Sequence, residues 1–199
     1  MSQKKVAVLL ANGFEECEAL LTVDILRRAG FFCDMVSVQG EIVWGSHWIR
    51  VYADRLLEGV DRDSYDMLVL PGGLPGADTL RDNAAVVEWV KAFAAEKDRY
   101  VAAICAAPQV LAEAGVVKGR RVTSYPGEKY KVLFADADYV DDNRQMEDCV
   151  VVDGNLITSR GAGTTLPFAC RLVEVLGGDG EKLRESMQYN ALKESLHRA

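Results

Sequence analysis

"KKVAVLLANGFEECEALLTVDILRRAGFFCDMVSVQG", residues 4–40, decides the fold. Its first eight residues (4–11) form a near-continuous β-type run. Such a run is expected of a strand buried on both faces of a sheet. "NGF" then turns the chain. "EECEALLTVDILRRAG" (15–30) has helical period. It begins with three carboxylates, ends with Arg27 and Arg28 and stops at Gly30, matching the helix dipole and a glycine C-cap. "FFCDMVSVQG" (31–40) is a second strand. Strand, helix, strand in this order is a βαβ unit, and it predicts a parallel sheet covered by helices.

The rest of the chain extends this pattern. "EIVWGSHWIRVYA" (41–53) reads as two short strands around a Gly-Ser turn, and "YDMLVLPGG" (65–73) as a buried strand ended by proline and a glycine pair. "NAAVVEWVKAFAAEK" (83–97) is a helix. "YVAAICAAPQVLAEAG" (100–115) is a strand that stops at Cys105 and becomes a helix. Residues 121–142 suggest a short strand, a helix broken by Pro126 and another strand. Residues 145–163 suggest a hairpin with an Asp-Gly-Asn turn, and 164–178 and 181–196 are closing helices. There is no repeat, low-complexity tract or linker. The expectation is a single α/β sandwich of the doubly wound kind spanning residues 1–199.

Composition narrows the function. At 199 residues and 49% hydrophobic, the chain suits one compact domain with a sizeable core. The net charge is −7, from 23 basic and 30 acidic residues. No basic cluster stands out, which argues against nucleic acid. No run approaches the ~18 apolar residues of a membrane span. The N-terminus reads as a first strand rather than a secretory leader, so a cytoplasmic protein is expected. Five cysteines (Cys17, Cys33, Cys105, Cys149, Cys170), widely spaced and without CxxC, disfavour a disulfide framework or a structural zinc site. Neither metal nor cofactor is expected. The two histidines are His47 and His197.

In doubly wound sheets ligands bind beyond the carboxyl ends of the strands. "NGFEECE", "LPGG", "ICAAP" and "TSRGAGT" all fall there. Cys105 sits at a strand-to-helix turn like a nucleophile elbow, near a helix N-terminus that lowers a thiol's pKa. Ala102, Ala103, Ala106 and Ala107 suit the crowding. The plainer alternative is a small core residue; position and company favour the reactive thiol. Glu18 shares the apolar face of its helix with Leu21, Thr22, Ile25 and Ala29, whereas Glu16 points away with Arg27. A carboxylate on a buried face is unfavourable unless paired or protonated. The plainer alternative is a first-turn glutamate reaching solvent. The sharper reading is a protonated or hydrogen-bonded Glu18 that meets Cys105. The glycine pair of "LPGG" allows an oxyanion site from the Gly73 and Ala106 amides. "TSRGAGTT" (158–165) is a helix-entry loop with a threonine cap. It lacks the Lys-Ser or Lys-Thr of a P-loop.

Together, "ANGFEECEALLTVDILRRAG", "YDMLVLPGG", "AAICAAPQVLAEAG" and "ITSRGAGT" resemble the ThiJ/PfpI superfamily, in order and with similar spacing over nearly the whole chain. The nearest subgroup is that of the parkinsonism-associated protein deglycase and its bacterial relatives. The resemblance implies a flavodoxin-like three-layer sandwich, a mostly parallel sheet with helices on both faces, usually in a homodimer. It makes Cys105 the reactive, readily oxidised cysteine and Glu18 its protonated partner. Gly73 and Ala106 become the amides that hold an oxyanion or a sulfinate.

The implied activity is that of a glutathione-independent glyoxalase acting on methylglyoxal, or a deglycase acting on its adducts, with a role in oxidative stress. The alternative is a redox sensor or chaperone working through Cys105 oxidation. Three departures bear on the mechanism. Tyr125 stands where the human member has a histidine. Ala106 stands where the protease branch has one. His47 lies in the hairpin where the human type carries an arginine. A cysteine hydrolase or amidase, which needs a histidine base, is therefore the weakest reading. Tyr125, His47 and Arg28 remain candidates for the surroundings of the site, Arg28 by facing a partner subunit.

Overall fold

The computed structural model describes residues 3–141 and 149–197. The opening βαβ unit is β1 (Lys5–Leu10), α1 (Glu16–Arg28) and β2 (Phe32–Ser37). A small hairpin follows, β3 (Ile42–Trp44) and β4 (Arg50–Tyr52), forming its own two-stranded sheet. The short β5 (Arg55–Leu56) returns to the main sheet. Next come β6 (Met67–Leu70), α2 (Gly76–Asp82), α3 (Ala84–Ala95), β7 (Tyr100–Ile104) and α4 (Pro108–Glu113). A second two-stranded pair, β8 (Arg121–Val122) and β9 (Asp138–Tyr139), brackets α5 (Glu128–Lys131). The chain closes with β10 (Val150–Asp153), β11 (Leu156–Ser159), α6 (Thr165–Val175), α7 (Gly180–Ser186) and α8 (Tyr189–His197). Among the described residues no helix is long and apolar enough to cross a membrane.

The seven-stranded sheet runs β10-β11-β7-β6-β1-β2-β5. Every pairing is parallel except β10 with β11. Without the edge strands β5 and β10 the order is β2-β1-β6-β7-β11, the flavodoxin arrangement. Its direction of growth reverses between β1 and β6, and ligand crevices open at that reversal.

Alternation along the strands builds two apolar layers. Val6, Val8, Leu10, Met67, Val69, Ala102 and Ile104 pack with α1 and α6 on one face. Ala7, Leu9, Leu68, Leu70, Val101 and Ala103 pack with α2, α3 and α4 on the other. Each large aliphatic side chain buried this way contributes about 1.5–3 kcal/mol. This explains why β1 reads as an unbroken apolar run: both of its faces are covered.

Four details differ from the sequence reading. The stretch after "LPGG" is a helix, α2, whose glycine and proline content hides its apolar Ala77 and Leu80. β5 adds an edge strand. Residues 181–196 form two helices because Gln188, at φ 63°, takes the left-handed conformation that ends α7. The helix expected around Pro126 begins only after Gly127 and has four residues. Of the closing hairpin, residues 145–148 lie outside the described residues, and Gly154-Asn155 make its turn.

Candidate active site

The loops after β1, β6 and β7 converge at the carboxyl edge of the sheet. Cys105 follows β7 with φ 62°, a left-handed conformation unusual for a residue with a side chain. Its N–H donates to the Ser159 carbonyl at the end of β11 (3.0 Å), and its carbonyl accepts from Tyr125 N–H (2.7 Å). The elbow is therefore held from both sides. Ala106 and Ala107 beside it are buried, and Cys105 itself is half-buried.

The three acids that open α1 have three different positions. Glu15 caps the helix, its carboxylate accepting the Glu18 N–H at 2.7 Å. Glu16 is buried and holds the β3–β4 turn. Its Oε1 accepts from His47 N–H (2.6 Å) and Ile49 N–H (3.4 Å), and its Oε2 lies 3.2 Å from Ser46 Oγ and 2.9 Å from His47 Nδ1. This corrects the expectation that Glu16 points away with Arg27. Arg27 instead bonds the Cys33 carbonyl and Asp54. Glu18, about 200° around the helix from Glu16, is 1% exposed, and its Oε2 accepts the Gly72 N–H at 2.8 Å.

Gly72 is the contact that the sequence reading missed. A Cβ there would stand 2.7 Å from Cys105 Cβ, 2.7 Å from Glu18 Oε2 and 3.0 Å from the Ala106 nitrogen. Only a glycine lets carboxyl, thiol and elbow amide close around one point. Gly73, at φ 87°, is equally constrained, since a Cβ would lie 2.3 Å from the Glu15 nitrogen. The glycine pair itself was the available signal.

Burial pushes the Glu18 carboxyl up to about 7, against the opposing hydrogen bonds of the Gly72 amide and Cys105. The Cys105 thiol is pushed up to about 12, first by burial, then by the charge and hydrogen bond of Glu18. The Ala106 and Gly73 amides at the sulfur pull the other way. The elbow alone thus does not yield the acidic thiol expected from its place near a helix N-terminus. The two groups form a coupled pair sharing protons. With the proton on Glu18, its charge no longer opposes a thiolate and its O–H can donate to the sulfur. The second oxygen, Oε1, is buried with no hydrogen-bond partner.

The other candidates are placed differently. Tyr125 reaches the elbow through its backbone, while its half-exposed ring lies against Gly161 and edge-on to Tyr130. His47 is exposed and its ring pairs with Glu16. Arg28 pairs with Asp24 and borders a groove with Asp179 and Lys182. It is ten residues along α1 from Glu18, about 15 Å at the helical rise. Among the described residues, Glu15, Glu16 and His47 bring ligand-type atoms within 4.8 Å of one another, but Glu16 already uses both oxygens on the hairpin.

Over most of its length this chain is similar to several known proteins. Protein dj-1beta of Drosophila melanogaster is 41% identical over 92% of this chain and 94% of its own length. Its crystal structure superposes with a TM-score of 0.85 at 38% identity, covering 93% of this chain and 97% of that one. A deglycase of Pyrococcus abyssi is 37% identical over 86% of this chain and 99% of its own. The structure of oxidized Toxoplasma gondii DJ-1 matches with a TM-score of 0.82 and 34% identity, over 95% and 98% of the two chains. With residues 4–175 also matched by the model of the DJ-1/PfpI family, this chain belongs to the DJ-1/PfpI family.

Proposed function

We propose that this protein is a cysteine-dependent glyoxalase or deglycase acting on methylglyoxal-like dicarbonyls or their adducts. The observation that carries the reading is a buried Glu18 carboxyl, its pKa raised by burial to about 7, beside the Cys105 thiol, with the Gly73 and Ala106 amides at the sulfur. The deglycase of Pyrococcus abyssi supports it. The Cys105 thiolate adds to the aldehyde carbon, and Glu18 gives its proton to the aldehyde oxygen, forming a hemithioacetal. The Glu18 carboxylate then takes the proton from that carbon and returns it to the neighbouring carbonyl carbon, while the hydroxyl proton passes to the former carbonyl oxygen, isomerising the adduct to a thioester. Water hydrolyses the thioester, releasing lactate and the thiol. The amides hold each oxyanion. The sum is methylglyoxal plus water giving lactate, with no external oxidant or reductant. The test is methylglyoxal turnover by wild type, Cys105→Ala and Glu18→Gln; full activity in Cys105→Ala would overturn the mechanism.

A second reading draws on the oxidized relative and on the unpartnered Glu18 Oε1. Peroxide would transfer oxygen to the Cys105 thiolate, first to sulfenate and then, with a second equivalent, to sulfinate held by the Glu18 proton. Intact mass after mild peroxide tests this. Oxygen on another cysteine before Cys105 would refute it. The five free thiols suit a reducing compartment, the cytoplasm. The exposed Trp44, Trp48, Ile49 and Tyr52 of the hairpin suit the contact surface of a homodimer. Sedimentation of Trp48→Lys at the wild-type mass would remove that support.

A further inference from the structure

The two amides that face Cys105 come from different loops. One, at Ala106, belongs to the elbow between β7 and α4. The other, at Gly73, belongs to the turn between β6 and α2. Their separation decides whether charge on the sulfur, or on an oxygen bonded beside it, meets both donors at once. Backbone bonds tie the elbow to β11 and Tyr125, and the glycine pair to the loop before α1.

A side-chain bridge joins the helices that continue these two loops. Gln109, the second residue of α4, is buried. Its Oε1 accepts from Arg81 Nη1 at 2.8 Å, and its Nε2 donates to Asp78 Oδ1 at 3.1 Å. Arg81 Nη1 closes the triangle on Asp78 at 3.3 Å. Asp78 stands five residues beyond Gly73, and Gln109 three beyond Ala106. A leucine would fill this space with no polar atoms to satisfy, and burying an amide is favourable only when its partners are in place. Those partners sit on the helix that fixes the other amide donor.

We propose that Gln109, held between Arg81 and Asp78, is a positioning residue that sets the spacing of the Ala106 and Gly73 amides around Cys105. The proposal rests on Cys105 as the reacting centre, but its test does not require turnover. The test is the pH profile of Cys105 alkylation by iodoacetamide, read by mass, in wild type, Gln109→Leu and Arg81→Ala. Slippage of the amides removes hydrogen bonds from the thiolate. The profile therefore moves to higher pH and the rate at fixed pH falls several-fold, while the other cysteines react as before. Methylglyoxal kcat falls about tenfold with KM little changed, the mark of misplaced donors rather than lost binding.

Gln109→Glu alone sets a carboxylate against Asp78 and worsens the defect. Adding Asp78→Asn restores a donor to that carboxylate and recovers the wild-type profile. An alkylation profile superimposing on wild type in folded Gln109→Leu overturns the proposal. If Gln109→Leu fails to fold, the surface change Arg81→Ala decides in the same way. If wild type turns over no dicarbonyl, the enzymatic reading fails while the alkylation profile still judges the bridge.

Discussion

Glu16 and Glu18 stand two residues apart on one helix, both almost fully buried at 4% and 1% exposure, yet they titrate in opposite directions. Burial raises both. At Glu16 it is outweighed by the His47 ring and by backbone N–H groups, so the carboxyl stays below its usual range. Glu18 receives one backbone N–H, meets a thiol rather than a cation, and keeps one oxygen unpartnered. The comparison teaches that donors and depth act together: Glu16 lies just under an exposed hairpin that supplies several donors, whereas Glu18 lies deeper and receives few, and this decides whether a buried carboxylate is a strut or a proton carrier. The hairpin side of α1 is built to keep a charge, and the elbow side to keep a proton.

The largest effect that would break this contrast is an exchange of phenotypes. Glu18→Gln should lower methylglyoxal turnover by about two to four orders of magnitude while leaving the fold intact. Glu16→Gln should keep turnover within about threefold and lose about 1–3 kcal/mol of stability through weakened hairpin bonds. Steady-state kinetics and denaturant melts of both variants decide it. Next in size is Gly72→Ala. The added methyl meets Cys105, Glu18 and the Ala106 nitrogen inside contact distance. Turnover should fall about a hundredfold, with about 1–3 kcal/mol lost to overpacking. Wild-type kinetics in that variant would mean that the pair does not need its close approach.

The pH dependence of stability sharpens the contrast further. The folded-state pKa of Glu18 is raised from 4.5 to about 7, so the folded protein binds more protons than the unfolded chain between those values. Stability contributed by this group is fully present below pH 4.5 and is lost as pH rises to about 7, a change of about 3 kcal/mol. Glu16 acts oppositely: its contribution is present above the ordinary carboxyl range and is lost as pH falls through its depressed pKa. Urea melts from pH 4.5 to 8 should therefore show a decline that Glu18→Gln largely removes and Glu16→Gln leaves largely in place.

The sheet was legible because apolar runs and glycine stops are local signals: "KKVAVLLA" and "YDMLVL" each announce a strand covered on both faces. Helix α2 was not, since Gly76 and Pro75 mask a short helix that only packing of Ala77 and Leu80 stabilises. At the site, helical spacing picked out Glu18 as facing inward, and the turn picked out Cys105. The same spacing misplaced Glu16, because its partners come from a hairpin thirty residues on, which covers a face that would otherwise meet water. The thiol's titration was misjudged for a related reason. A helix N-terminus is visible in sequence, but the burial and the neighbouring carboxyl that outweigh it arise only when β1, β6 and β7 come together.

The smallest effect tests what holds Glu16. His47 is the one ring in the clamp, and the Glu16 carboxylate beside it holds its pKa above the usual histidine value. It is also largely exposed, at 72%. His47→Ala removes the ring pair but keeps the backbone N–H that makes the 2.6 Å bond. Exposed ion pairs contribute little, so the melting temperature should stay within about 2 °C of wild type and turnover should be unchanged. The sign is fixed by the raised pKa. The ring's contribution is present below the unfolded pKa of 6.5 and disappears as pH rises through the folded one. Any difference between wild type and His47→Ala should therefore be measurable at pH 6 and gone at pH 9. A loss as large as that of Glu16→Gln, persisting at pH 9, would show that the ring rather than the hairpin backbone anchors the carboxylate, and the division between the two faces of α1 would have to be redrawn.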